Sequence, residues 1–156
     1  MSRRNSGASI LKVISPDPKY GSIVVERLCN KLMYDGKKSV AQKIVWDALE
    51  RAAKILGTSP TEALRIALDN LTPMSILRRI KVGGANHQVP VPATERKALN
   101  LAFTFLITSS RKRGENSSVE KLSNEIIDAY NKKGMSIKMF EEHKKRVEAN
   151  RAFARV

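Results

Sequence analysis

Arg78-Arg79-Ile80-Lys81-Val82-Gly83-Gly84-Ala85-Asn86-His87-Gln88-Val89-Pro90-Val91-Pro92 is the only long part of this chain that does not read as helix. Two short β-prone runs, Ile76 to Val82 and Asn86 to Val91, flank the Gly83-Gly84 pair. Two glycines in a row are the turn chemistry that lets a chain reverse with φ > 0. Side chains alternate along a strand, so Met74, Ile76, Ile80 and Val82 share one parity, interrupted by Arg78. Leu77, Arg79 and Lys81 share the other. A two-stranded ribbon has too little apolar surface to stand alone in water. Pro90 and Pro92 cannot donate ladder hydrogen bonds, which makes the return strand an edge. A basic ribbon on a helical body reads as an arm that reaches into an anionic partner. A solvated hairpin with ordinary surface charge is the other reading, and this stretch alone leaves both open.

The charge of the whole chain bears on that choice. Its 156 residues carry 29 Lys+Arg against 15 Asp+Glu, a net charge of +14, and a pI of about 10.2. A domain pI above about 9 with clustered Lys and Arg is the electrostatic footprint of a nucleic-acid binder. Self-repulsion of that size destabilises a fold unless a polyanion neutralises it. A membrane surface would need an amphipathic basic helix or a lipid signal, and the sequence offers neither. No apolar run approaches the roughly 18 residues of a bilayer span. Cys29 is the sole cysteine, which excludes an intramolecular disulfide. It falls on the apolar side of a predicted helix and reads as a small buried hydrophobe. Residues 1–15 are basic and Ser-rich with no acid, and Arg3-Arg4 lacks the apolar region of an export signal. They read as a flexible basic tail, followed by one domain over 16–156 with the arm at 74–92.

Upstream of the arm, Pro16 and Pro18 make an extended lead-in. A first helix follows from about Ser22 to Tyr34, with Val25, Leu28, Cys29, Leu32 and Met33 on one stripe, and Asp35-Gly36 ends it. Lys37-Lys38-Ser39 opens a second, reaching Leu56, with Val40, Ile44, Val45, Ala48, Leu49, Ala52 and Leu56 apolar and Gly57 as its cap. Ser59-Pro60-Thr61-Glu62 announces a third through a capping box and a first-turn proline. Leu64, Ala67, Leu68 and Leu71 are its core face, and Thr72-Pro73 stops it. Downstream, Thr94 caps a fourth helix that is apolar nearly all round from Ala98 to Ile107, as a central, most buried helix would be. It ends on Arg111-Lys112-Arg113-Gly114, cations where the helix dipole is negative. Ser117 to Glu120 forms a second capping box, opening a fifth helix with Val119, Leu122, Ile126 and Tyr130 inward. A last helix from about Ser136 carries a basic face of Lys138, Lys144, Lys145, Arg146, Arg151 and Arg155. Glu141 with Lys145 and Glu142 with Arg146 are i,i+4 pairs that support it. The expected fold is all-α: a single domain of about six helices, with a β-hairpin between the third and fourth.

Several chemistries fail on spacing. Gly36-Lys37-Lys38-Ser39 lacks the glycine and the hydroxyl of a phosphate loop, because Lys31 and Lys38 occupy those positions. His87 and His143 have no partner at metal-ligand spacing. Glu141-Glu142 reads as a solvated, salt-bridged pair rather than an acid–base pair. No cofactor is expected. Aromatic content of 5% argues against a stacking platform for single strands, and recognition of folded RNA by backbone and shape fits better.

Several segments together resemble one family. They are Pro16 to Ser22, Asn30 to Ser39 (NKLMYDGKKS), Ala67 to Pro73, Val82-Gly83-Gly84 with Gln88 to Val91, Arg111 to Gly114, and Glu148 to Ala154. In this order and spacing the chain resembles the bacterial and organellar small-subunit ribosomal protein seven along nearly its whole length. The resemblance implies a non-enzymatic protein that binds the 3′ major domain of small-subunit rRNA and nucleates assembly of the subunit head. It implies an arm near the exit-site tRNA and the mRNA path, and small-subunit ribosomal protein eleven as a neighbour. The location it implies is the ribosome of the bacterial cytoplasm, or of an organelle interior.

The phosphate contacts expected on this reading are Arg3, Arg4 and Lys12 of the tail, Lys37 and Lys38, Arg78, Arg79 and Lys81 of the arm, Arg96 and Lys97, and Arg111, Lys112 and Arg113. Lys138, Lys144, Asn150, Arg151 and Arg155 complete the set at the C-terminus. Gly83 and Gly84 would allow close backbone approach at the arm tip, and Asn86 and Gln88 would bond sugars or base edges. The chain departs from the family pattern at Ile80-Lys81, where two arginines are usual, and at Thr104-Phe105, where Arg-Trp is usual. It departs again around Lys138 to His143 and at the Arg155-Val156 end. These departures imply a divergent lineage with part of the contact set lost or replaced. The rival from another class is a nucleoid-type DNA-binding module, since a β-ribbon arm can also enter a DNA groove.

Overall fold

The computed structural model describes residues 13–155. Among them the order is α1 (Ile23–Leu32), α2 (Lys38–Leu56), α3 (Pro60–Leu71), β1 (Ser75–Val82), β2 (Ala85–Pro92), α4 (Glu95–Lys112), α5 (Ser118–Tyr130) and α6 (Gly134–Ala149), closed by a 3₁₀ turn at Arg151–Arg155. Six helices with a hairpin between α3 and α4 match the expected fold. Among the described residues no helix is long and apolar enough to cross a membrane. Arg3, Arg4, Lys12 and the side chain of Arg155 lie outside what is described.

Local chemistry sets most of the boundaries. Ser59 accepts from the Glu62 N–H at 3.3 Å with Pro60 at the first helical position, but the Glu62 carboxylate turns to Arg65 at 3.2 Å instead of reaching back. Ser117 likewise caps Val119 at 3.3 Å, while Glu120 pairs with Arg51 of α2 at 3.1 Å. Both boxes are therefore half-made, because an arginine offers each glutamate a stronger partner than a backbone N–H. Thr94 holds the N-cap position of α4 without a side-chain cap bond. α1 ends at Leu32, short of Tyr34, because the chain leaves helical angles at Met33 (ψ 137) before Asp35 turns left-handed (φ 51).

The core joins Leu28, Val45, Leu49, Leu64, Leu68, Leu71, Phe103, Leu106, Leu122 and Ile126, and each fully buried side chain of this size contributes about 1.5–3 kcal/mol. α4 buries the most residues, as its apolarity requires. The centre, however, is α5, which packs on α2, α3, α4 and α6. Fully buried Ser123 and Ala129 are small enough to let its neighbours approach closely. Val40, expected in the core, is 55% exposed; it sits in the first turn of α2, and Ala41 takes the inward position. On α6 the Glu142–Arg146 pair forms at 3.8 Å, and no Glu141–Lys145 pair is present among the described residues. Cys29 is fully buried, and burial pushes its thiol up to about 12. A thiol-specific disulfide reagent at pH 8 is expected to leave it unmodified in the folded chain and to label it on unfolding. Prompt labelling of the native chain would contradict this placement.

Two polar clusters fasten the helices. Asp17, 1% exposed, accepts from the N–H groups of Lys19 (3.1 Å) and Tyr20 (3.0 Å) and from Trp46 Nε1 (3.1 Å), fixing the lead-in to α2. Arg113, one residue past α4, donates to Glu115 (2.8 Å), Glu125 (2.8 Å) and Asp128 (2.7 Å). Glu125 is fully buried and also accepts from the Ser136 N–H at 2.9 Å, so the network ties α4 to α5 and α6. Gly134 (φ 88) opens α6 against it; a Cβ there would lie 2.9 Å from the Asp128 Cβ.

The hairpin is held at both ends. Gly83 (φ 58) and Gly84 (φ 84) make the reversal, and the ladder runs from Val82 opposite Ala85 to Ser75 opposite Pro92. Near the base, His143 Nε2 of α6 lies 3.1 Å from the Ser75 carbonyl oxygen. Farther out, the ring of Phe153 in the 3₁₀ turn lies 5.3 Å from that of His87.

Candidate nucleic-acid interface

Residues directly opposite in an antiparallel ladder share a face, as do i and i+2 along a strand. Arg79 pairs with Gln88 and Lys81 with Asn86, so these four polar side chains occupy one face of the ribbon. Arg78 opposite Val89 and Ile80 opposite His87 occupy the other, where Val89 is 8% exposed and the 3₁₀ turn packs. Met74 is 93% exposed and Val82 41%, so the apolar parity of the first run is covered only in its middle.

The polar face of the ribbon borders a groove of about 510 Å³ whose other walls come from α4, α6 and the end of α1. Its cations are Lys31, Arg79, Lys97 and Arg146, one each from α1, β1, α4 and α6. Gln88, Asn100, Thr104 and His143 add hydrogen-bonding groups, and none of its lining residues is acidic. Lys97, Asn100, Leu101 and Thr104 follow helical spacing, which turns one stripe of α4 into the floor. A smaller depression of about 220 Å³ continues past Lys31 and Asn100, with Arg27, Asn30 and Arg96 around it. Ile14 also lines it, so the described chain starts alongside. Cations converging on a concave, acid-free surface focus field and attract a polyanion.

The expected contact residues that are described divide into five groups. Arg79, Gln88 and Lys97 line the groove, with exposed Lys81, Asn86 and Arg96 flanking it, while Arg78 is exposed on the opposite face of the ribbon. A side chain at Gly83 or Gly84 would meet none of the described residues within 4 Å of its Cβ, which leaves the backbone of the tip open to approach. Lys37, Arg111 and Lys112 are exposed where α4 ends beside α1, because Arg111 Nη2 donates to the Leu32 carbonyl at 3.2 Å. Lys144 and Arg151 line a separate cleft with Pro73, Pro90, Phe140 and Val147, and Lys138 stands exposed on α6. Three residues are engaged within the fold. Lys38 pairs with Glu26, which is 3% exposed. Arg113 is bound to three carboxylates. The Asn150 amide donates to the Arg146 carbonyl at 2.8 Å.

Burial opposes the Arg113 charge, but hydrogen bonds to Asp128, Glu125 and Glu115 outweigh it and raise its pKa. Bonds from Asn124 and Arg113 hold the Glu115 carboxyl down at about 2. The sequence reading missed Arg27, Lys31 and Asn100. The helical spacing of Lys97, Asn100 and Thr104 was a signal available for the α4 stripe. Nothing local marks Lys31, which meets Asn100 (3.5 Å) across 69 residues of chain. Among the described residues, no cluster of three or more His, Cys, Asp or Glu could hold a metal ion.

A family model described as ribosomal protein S7p/S5e matches residues 3–151. Over 141 residues the chain is 47% identical to the small ribosomal subunit protein uS7 of Petrotoga mobilis, covering 90% of this chain and 91% of the relative. Over 156 residues it is 46% identical to the uS7 protein of Gluconobacter oxydans, covering 99% and 98%. The uS7 protein of Mycobacteroides abscessus is 49% identical over 138 residues, 88% of each chain.

Proposed function

The chain belongs to the ribosomal protein S7p/S5e family, structural and non-enzymatic proteins of the small ribosomal subunit, and from that premise we propose that it is a primary binder of the 3′ major domain of small-subunit rRNA that nucleates assembly of the head. The acid-free groove between ribbon, α4, α6 and α1 carries this reading. Four elements distant in sequence each contribute one cation to it, an arrangement that suits a folded backbone approaching from several directions. Asn86, Gln88 and Asn100 supply donors and acceptors for sugars and base edges. The second cluster at Lys37, Arg111 and Lys112 extends the footprint. Lys38 and Arg113 we assign to holding the fold rather than to phosphates. Family membership further supports an arm near the exit-site tRNA and mRNA path and a contact with small-subunit ribosomal protein eleven. The relatives named are bacterial, which favours a bacterial-type ribosome in the cytoplasm.

A transcript of the 3′ major domain is expected to displace duplex DNA from the purified chain at equal phosphate concentration, and the chain is expected to co-sediment with small subunits in high-magnesium gradients. Equal competition by duplex DNA, with no protein in the subunit fractions, would refute the assignment in favour of a nucleoid-type role.

A further inference from the structure

We propose that Tyr34 and Arg111 form a stacking site for one unpaired RNA base, at the junction of α1 and α4. The site rests on the RNA-binding reading above and lies away from the groove that carries it. Arg111 Cζ sits 4.3 Å from the centre of the Tyr34 ring, and its Nη2 donates to the Leu32 carbonyl at 3.2 Å. A guanidinium held by both a hydrogen bond and a ring face is a fixed plate rather than a wandering charge. It covers one side of the ring, while Tyr34 as a whole is 63% exposed.

The Lys37 N–H donates to the Tyr34 carbonyl at 2.9 Å, closing a tight turn in which Lys37 is exposed. Asp35 is the only acid in that turn. A flat, exposed π surface backed by a fixed cation, with a second exposed cation in the same turn, matches a nucleotide: the base on the ring, the phosphate against Lys37 or Arg111. A neutral side chain of a neighbouring protein would gain nothing from those charges.

Binding of the 3′ major domain transcript to Tyr34→Leu and Tyr34→Trp chains tests the site. Leucine still shields Arg111 but cannot stack, and is expected to weaken binding on the order of tenfold to a hundredfold. Tryptophan is expected to bind at least as well as tyrosine, with its emission quenched by the transcript. Undiminished binding of the leucine chain with unquenched tryptophan would overturn the site and leave the ring to a protein neighbour. If the unaltered chain fails to bind the transcript, the RNA-binding reading falls and takes the site with it.

Discussion

Arg113→Ala is expected to destabilise the chain by about 3 kcal/mol, near the lower end for breaking a buried ion pair, because the guanidinium is partly exposed. The loss exceeds that of a surface cation because Glu125, fully buried, would be left with the Ser136 N–H as its partner in place of a guanidinium. In a domain of this size that corresponds to a fall in Tm of roughly 10 °C, measurable by urea or thermal unfolding. Adding Glu125→Gln should recover part of the loss, since it removes the stranded charge. RNA affinity of the folded variant should change little. The opposite pattern, unchanged stability with weakened RNA binding, would return Arg113 to the contact surface. Acid acts on the same network. Glu115 titrates at about 2 in the fold against an ordinary 4.5, so its contribution is complete above about 4.5 and is lost as pH falls toward 2. Stability should therefore decline through that window less steeply in Glu115→Gln than in the parent.

The second large effect is on salt dependence. A groove with four cations, flanked by Arg27, Lys81 and Arg96, implies a footprint of roughly six to ten phosphates, for which affinity falls on the order of 10³- to 10⁵-fold between about 50 and 200 mM salt. Replacing Arg79 and Lys97 by alanine together should lower the log–log slope by roughly 0.7–0.9 per residue removed. Both side chains are exposed, so the melting temperature should hold. A parent slope equal to one or two contacts would rule out the broad footprint.

Those two experiments turn on a distinction that the sequence did not carry. Arg111, Lys112 and Arg113 are adjacent cations at one helix end, and nothing in their order separates the stacked one from the free one or from the one enclosed by acids. The separation comes from Glu125 and Asp128, 12 and 15 residues further on, which reach Arg113 only once α5 has folded against α4. Lys37 and Lys38 pose the same problem, since Glu26 is brought to Lys38 by the packing of α1 on α2. What was legible was whatever short-range chemistry decides. The Ser59 cap, the Gly57 terminator, the Gly83-Gly84 reversal and the apolar stripe of α3 depend on neighbours within four residues. The arm's contact face was legible only in part: alternation places Arg79 and Lys81 together, but their pairing with Gln88 and Asn86 needs the register. Lys31 joins Arg79 and Lys97 only through tertiary folding, and hydrophobic periodicity is silent about that.

Clamping the ribbon by His143 near its root and by Phe153 farther along has a consequence for association kinetics. A pointer fastened at two places turns with the body as one rigid piece, so its orientational freedom is surrendered during folding and little remains to be lost on capture. More collisions then start in a usable pose, and the ring of Phe153 helps set the aim of the proposed contact residues on the arm.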